Sequence, residues 1–232
     1  MISKFIFNNQ YLFDELPESD KNLLTGAMKT KNYRKNEPIF TDGTKPNGVY
    51  YLNEGKIKKY KVDNDGREQI IYIYSSGEFF GYSAILSNES YGDTTSTLEN
   101  SVISFISKDS FLDILSQSSV LSRLLLKSLS HEFSVMANLI AVLSHRTVRE
   151  RAALSLLILH DKYKSNDAPD EEVFITLSRV DLANMVGTAR ETLARIINDF
   201  KQLCPDCQSW ITCTPKFNLC HHHGIIIIRW EF

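Results

Sequence analysis

At 232 residues the chain is longer than one ordinary domain, which points to two. With 43% hydrophobic and 23% charged residues it has the composition of a folded globular protein, which excludes a disordered or fibrous chain. The net charge of −2 removes a general basic excess as a source of nucleic-acid affinity, so any such binding has to be local.

The charge is evenly spread. From His145 onward 11 Lys+Arg accompany 11 Asp+Glu, against 15 and 17 before it. Apolar runs such as Leu156 to Leu159 and Ile225 to Ile228 are far shorter than the ~18 residues that cross a bilayer. Phe5, Ile6 and Phe7 give way at once to Asn8, Asn9 and Gln10, too short a run for a signal-peptide core. Cys204, Cys207, Cys213 and Cys220 are all the cysteines, so the first 203 residues hold no disulfide. A cytoplasmic, reducing setting is expected.

Residues 33–106 are predicted to form strands. Asp42-Gly43, Asn47-Gly48, Glu54-Gly55, Asp65-Gly66 and Ser76-Gly77 break up short runs rich in Tyr, Ile and Val. Lys56 to Val62, the turn at Asp65-Gly66 and the run from Ile70 predict a hairpin. Several short strands at this spacing predict a sandwich or barrel.

Residues 109–144 contain neither Gly nor Pro, and their apolar spacing becomes helical. Leu126, Leu129, Phe133, Met136, Ile140 and Leu143 follow the 3-4 alternation of a coiled-coil seam. Leu125, Val135, Leu139 and Val142 form a second stripe. A single long helix with two apolar faces is expected to give one to the strand domain and the seam to a second copy of itself. The alternative is the buried core helix of a monomer.

Thr147 and Glu150 read as a capping box that starts a new helix, which places a domain boundary and a hinge around His145 to Thr147. That helix is expected to run to about Tyr163, followed by the polar segment Lys164 to Glu172.

Ser178 with Asp181, and Thr188 with Glu191, mark two helix starts ten residues apart, with Gly187 between them. Gly187 can take the positive φ that ends a helix tightly. Ala183 is small enough for a close helix crossing, and Leu182, Val186, Leu193 and Ile196 would fill the angle. The pattern predicts a helix-turn-helix. Ala189, Arg190 and Glu191 would occupy the first turn of the second helix, with Arg195 one turn further on. Arginine can donate two hydrogen bonds to guanine and glutamate can accept from the cytosine amino group. Ser178 and Thr188 at helix N-termini suit phosphate contacts. The plainer readings are a capping role for Glu191, solvated charges for Arg190 and Arg195, and a helical hairpin with no partner.

Ser178 to Lys201, with Gly-Thr-Ala-Arg-Glu-Thr at 187–192, resembles the C-terminal domain of the CRP/FNR family of bacterial transcription regulators. Val49 to Leu86 resembles that family's N-terminal β-roll through Gly-Val-Tyr-Tyr-Leu-Asn-Glu-Gly-Lys-Ile, Asp-Gly-Arg-Glu and Gly-Glu-Phe-Phe-Gly. The resemblance covers about residues 20–203. It implies an α+β protein with a cyclic-nucleotide-binding-like jelly roll at 1–108, a dimerisation helix at 109–145 and a winged helix-turn-helix at 146–232. It further implies that Arg190, Glu191 and Arg195 contact bases and that Arg179 lies close to DNA.

In the members that bind cyclic nucleotides, a glutamate holds the ribose and an arginine about ten residues later holds the phosphate. Tyr82 and Gly92 stand at those places here, and Lys108 is the only cation between Arg67 and Arg123. A buried phosphate would lack its partner, so tight cyclic-AMP binding is not expected, with Arg123 a substitute donor. Iron–sulfur sensing through N-terminal cysteines is excluded because no cysteine precedes Cys204. His131 is the one early candidate for a haem ligand, though a lone helical histidine is more often a surface residue. The sensor cavity either takes an apolar effector among Tyr72, Tyr74, Phe79, Phe80 and Tyr82 or is vestigial.

From Leu203 the chain leaves the family pattern. Cys204-Pro-Asp-Cys207, Cys213, Cys220 and His221 to His223 allow three readings: zinc ligation, thiol redox chemistry and an altered end. Ile225 to Ile228 is expected to form an edge strand of the winged domain. The reading as a whole is a homodimeric, sequence-specific transcription regulator with no enzymatic activity, cofactor or metal. Its expected partners are double-stranded DNA, a second copy, RNA polymerase and an unidentified small-molecule effector, with no membrane. The rivals are a ligand-binding or protein-interaction module with a degenerate DNA-binding domain, and an enzyme built on the Cys/His tail.

Overall fold

The computed structural model describes residues 2–164, 173, 175–202, 218–222 and 225–229, with the backbone alone from residue 201 onward. The chain divides into two compact units, Ser3–Asn138 and Leu139–Phe232.

The first unit opens with a 3-10 turn at Ile2–Phe5, then helices α1 (Tyr11–Asp14) and α2 (Glu18–Ala27). Eight strands follow: β1 (Lys29–Tyr33), β2 (Pro38–Phe40), β3 (Gly48–Glu54), β4 (Lys56–Val62), β5 (Glu68–Ser75), β6 (Phe79–Phe80), β7 (Thr94–Thr97) and β8 (Ser101–Ser107), with the short helix α3 (Tyr82–Ser87) after β6. They form two four-stranded antiparallel sheets, ordered β1-β8-β3-β6 and β2-β7-β4-β5. The predicted hairpin is β4 with β5, Ile57 opposite Tyr74 and Val62 opposite Glu68. Its turn is held by the Asp63 carboxylate, which accepts from the amides of Asp65 and Arg67, and by Gly66 at φ 78°. The strand region begins earlier than residue 33. β1 is an edge strand whose Lys29 to Asn32 are exposed, so it lacks the apolar alternation by which strands are recognised. Gly48 is required by a close approach, since a Cβ there would lie 2.1 Å from the Ile106 carbonyl oxygen.

The single long helix expected after the sheets is two helices, α4 (Lys108–Gln117) and α5 (Ser119–His145). Ser118 interrupts them with φ −111° and ψ 102°. Its hydroxyl accepts the Leu121 amide at 3.0 Å and bonds the Asp20 carboxylate, giving the chain a local alternative to continued helix. On α5, Leu121, Leu124, Leu125, Ser128 and Val135 are buried. The seam lies on the other face: Phe133 is 76% exposed, Leu126 65%, Ile140 64% and Leu143 45%, with Leu129 and Met136 half-buried. Most of the seam is therefore not covered by the core of this chain.

In the second unit the Thr147–Glu150 capping box is present in both directions and starts α6 (Val148–Tyr163). Then come β9 (Leu177–Ser178), α7 (Arg179–Val186), α8 (Arg190–Gln202), β10 (Asn218–His222) and β11 (Ile225–Arg229). The last two strands pair as a hairpin, and Ile225 and Ile226 pair with Ser178 and Leu177 of β9. β11 is therefore the central strand of a three-stranded sheet, not the edge expected from the isoleucine run. Its second partner, β9, is only two residues long and directly precedes α7, so no strand-length pattern marked it. No helix among the described residues is long and apolar enough to cross a membrane.

Candidate nucleic-acid interface

Ser178 caps α7: its hydroxyl accepts the Asp181 amide at 3.0 Å and donates to the Asp181 carboxylate at 2.6 Å. Gly187 ends the helix in the left-handed region, φ 70° and ψ 53°. The amides of Gly187 and Thr188 both donate to the Ala183 carbonyl, at 2.9 and 3.1 Å, the paired bonds of a glycine-terminated helix. Leu182, Ala183, Val186 and Leu193 fill the angle between α7 and α8, as expected. The fifth buried position is Ile197, not Ile196, because the inward face of α8 repeats every four residues from Leu193.

The start of α8 differs from the predicted Thr188–Glu191 box. The first intrahelical acceptor is the Ala189 carbonyl, 3.0 Å from the Leu193 amide, so Ala189 caps a helix beginning at Arg190. Glu191 instead lies 3.5 Å from the Arg190 guanidinium. Ala189, Arg190, Glu191 and Arg195 are all exposed, while Ser178, Arg179 and Thr188 are half-buried beside them in the chain. One face of α8 is thus buried and the other carries two arginines and a glutamate to the surface. The helix is also tied to α6, with the Arg149 guanidinium 3.6 Å from Asp199 and over the Phe200 ring.

The sensor aromatics are core residues. Tyr72 and Tyr74 meet edge to face at 4.6 Å, and Tyr74 lies 5.4 Å from Phe80. Phe79 packs on Tyr51 and Phe13. The Tyr82 hydroxyl is 3.1 Å from that of Ser128 on α5. Burial, reinforced by the negative charge of Glu132, pushes the Tyr82 phenol up. Arg123 is exposed on α5, whereas Ser128, His131 and Glu132 meet the aromatics or the strands and Leu121, Leu124 and Leu125 share the core cluster of Phe79 and Tyr82.

Three features escaped the sequence. Phe7 is buried against Tyr72, Tyr74 and His131, and its carbonyl accepts the Tyr72 hydroxyl. Asn9 is buried and clasps the Phe79 backbone, donating to its carbonyl at 2.7 Å and accepting its amide at 2.9 Å. His131, the candidate haem ligand, instead has Nε2 3.1 Å from the Ile6 carbonyl oxygen. The third feature is an ionic triad: Lys59 Nζ is 3.2 Å from Asp93 and 3.3 Å from Glu132. Burial pulls the Lys59 pKa down, but the two carboxylates outweigh it and the net shift is upward.

No group of three or more His, Cys, Asp or Glu side chains able to hold a metal occurs among the described residues. Cys204, Cys207, Cys213 and His223 lie outside them, and only the backbone of Cys220, His221 and His222 is described.

Residues 30–118 match the cyclic nucleotide-binding domain and residues 150–203 the Crp-like helix-turn-helix domain. The chain belongs to the CRP/FNR family of transcription regulators. Among curated members it is 26% identical over 175 residues to the anaerobic regulatory protein of Aggregatibacter actinomycetemcomitans, covering 75% of this chain and 68% of that one. It is 26% identical over 174 residues to the fumarate and nitrate reduction regulatory protein of Yersinia pestis, covering 75% and 69%. Two solved structures share the fold. FixK2 from Bradyrhizobium japonicum has TM-score 0.71 and 20% identity, covering 87% of this chain and 92% of that one. The c-di-GMP-responsive regulator CLP of Xanthomonas campestris has TM-score 0.70 and 19% identity, covering 93% and 100%. As a member of this family the chain is a DNA-binding transcription regulator with a Crp-like helix-turn-helix domain.

Proposed function

We propose that the protein works as a homodimer in the cytoplasm, reading near-palindromic duplex DNA in response to a small molecule. The division of labour is a sensor at 1–108, the helices α4 and α5 up to residue 145, of which α5 is the dimerisation helix, and a DNA-binding domain at 146–232. The exposed seam Leu126, Leu129, Phe133, Met136, Ile140 and Leu143 is the surface offered to the second copy. Exposed apolar residues at coiled-coil spacing gain most by covering one another.

Arg190, Glu191 and Arg195 read base edges, while Ser178, Arg179, Thr188 and Ala189 hold the neighbouring phosphates. The observation that carries this reading is the two-sidedness of α8: Leu193 and Ile197 buried, Arg190, Glu191 and Arg195 exposed. In a dimer two such helices about 34 Å apart enter successive major grooves of one DNA face.

The effector site is the aromatic region of Tyr72, Tyr74, Phe79, Phe80 and Tyr82 beside α5, which Phe7 fills in the present conformation. Arg123 is left out because it is exposed. Cyclic AMP is disfavoured there, since Lys59 is already paired with two carboxylates and a phosphate would add a third negative group. RNA polymerase is the partner through which the bound regulator alters transcription, and its own role is binding, not catalysis.

The test is selection of bound sequences from random duplex DNA, followed by a salt titration on the winner. The expected result is a two-part site with half-sites one helical turn apart and affinity falling linearly in log–log salt. Recovery of no common sequence would reject specific DNA binding in favour of a degenerate domain.

A further inference from the structure

We propose that Arg151 is a positioning residue for the recognition helix α8, holding the turn that precedes it to the end of α5. The proposal rests on α8 being the DNA reader. Arg151 lies in the first turns of α6, and its guanidinium donates in three directions. Nε reaches the Val186 carbonyl at 3.0 Å, Nη2 the Gly187 carbonyl at 3.0 Å and Nη1 the Arg146 carbonyl at 3.3 Å.

Val186 and Gly187 close α7, and Arg146 directly follows α5. Carbonyls at a helix C-terminus have no partner within the helix and carry the negative end of its dipole. One permanently charged, planar group with five donors can satisfy several such acceptors at fixed angles. An ammonium in its place has the charge but not the fork.

Only Thr188 and Ala189 separate Gly187 from the first residue of α8. Fixing the Val186 and Gly187 carbonyls therefore fixes where Arg190 and Glu191 begin, without Arg151 touching DNA. The third bond adds a connection to the residue that links α5 to α6. Arg146 also pairs with Glu150 at 3.2 Å, and Glu150 completes the box with Thr147. Any displacement of Arg146, the residue that follows α5, thus acts on the guanidinium that holds the α7–α8 turn.

The experiment uses the full chain, Arg151→Lys and Arg151→Ala, with the duplex selected by the parent protein as probe. Both variants are expected to bind it about 10- to 100-fold more weakly, with weakened discrimination between half-site base pairs and an unchanged salt slope. Amide hydrogen exchange at Gly187 and Thr188 should rise, because their bonds to the Ala183 carbonyl lose support. Arg151→Lys decides the matter if the alanine variant fails to fold. A salt slope lowered by about one phosphate would make Arg151 a direct phosphate contact instead. Parental affinity and exchange in Arg151→Lys would likewise overturn the proposal. A parent protein that binds no duplex would refute the DNA reading, while unchanged exchange in the variants would refute the clamp by itself.

Discussion

Lys59 Nζ on β4 lies 3.3 Å from Glu132 Oε1 on α5, so one ammonium joins a strand of the sensor sandwich to its long helix. With Asp93 at 3.2 Å the triad carries two negative groups and one positive. Lys59→Met would leave two carboxylates facing each other with little solvent. It should lower stability by roughly 3–5 kcal/mol, and Lys59→Met with Glu132→Gln should recover part of that. Urea denaturation of the parent and both variants measures this; an unaltered midpoint in Lys59→Met would show that the triad is not coupled. Cyclic AMP is expected to leave the parent's thermal midpoint unmoved.

Phe7 is a core residue contributed by the N-terminal segment. Phe7→Ala should lose roughly 3–5 kcal/mol through the cavity left beside Tyr72 and Tyr74. Benzene, which enters dry engineered cavities, should raise the midpoint of the variant and not of the parent. A variant as stable as the parent would mean that this segment is not held in the sandwich.

Phe133 and Leu126 are exposed on α5. Leu126→Glu with Phe133→Glu is expected to convert a dimer to a monomer in sedimentation, with little change in the helix content of each chain. A dimer of undiminished affinity would place the subunit contact elsewhere.

His160 on α6 is pulled down to about 4, first by burial and then by the neighbouring Lys164 charge. The unfolded chain takes up this proton near pH 6.5, before the folded one does. The stability contributed by the neutral ring is therefore complete above that pH and declines as pH falls toward 4. Urea midpoints of the DNA-binding unit at pH 7 and pH 5 should differ more for the parent than for His160→Gln. Equal differences would remove His160 as the cause.

What could be read in advance was local. The β4–β5 hairpin, the Thr147 and Ser178 caps, the Gly187 bend and the α5 seam each follow from residues close in sequence. What could not be read was made by partners far apart. Asn9 meets Phe79 across 70 residues and Lys59 meets Glu132 across 73, and neither pairing leaves a periodic trace. Ser118 looked like one more polar position of a helix until Asp20 supplied its partner. The isoleucine run was correctly a strand, but its central place depended on β9, too short to announce itself. The Thr188–Glu191 pairing had the right spacing and lost to a helix start at Arg190.

The recognition role of Arg190 is tested most directly by measuring affinities for every single-base variant of the selected duplex, with the parent protein and with Arg190→Ala. Discrimination of roughly 1–3 kcal/mol is expected to disappear at one base pair in each half-site and to survive at the others. An identical preference in both proteins, or a uniform loss at every position, would contradict it.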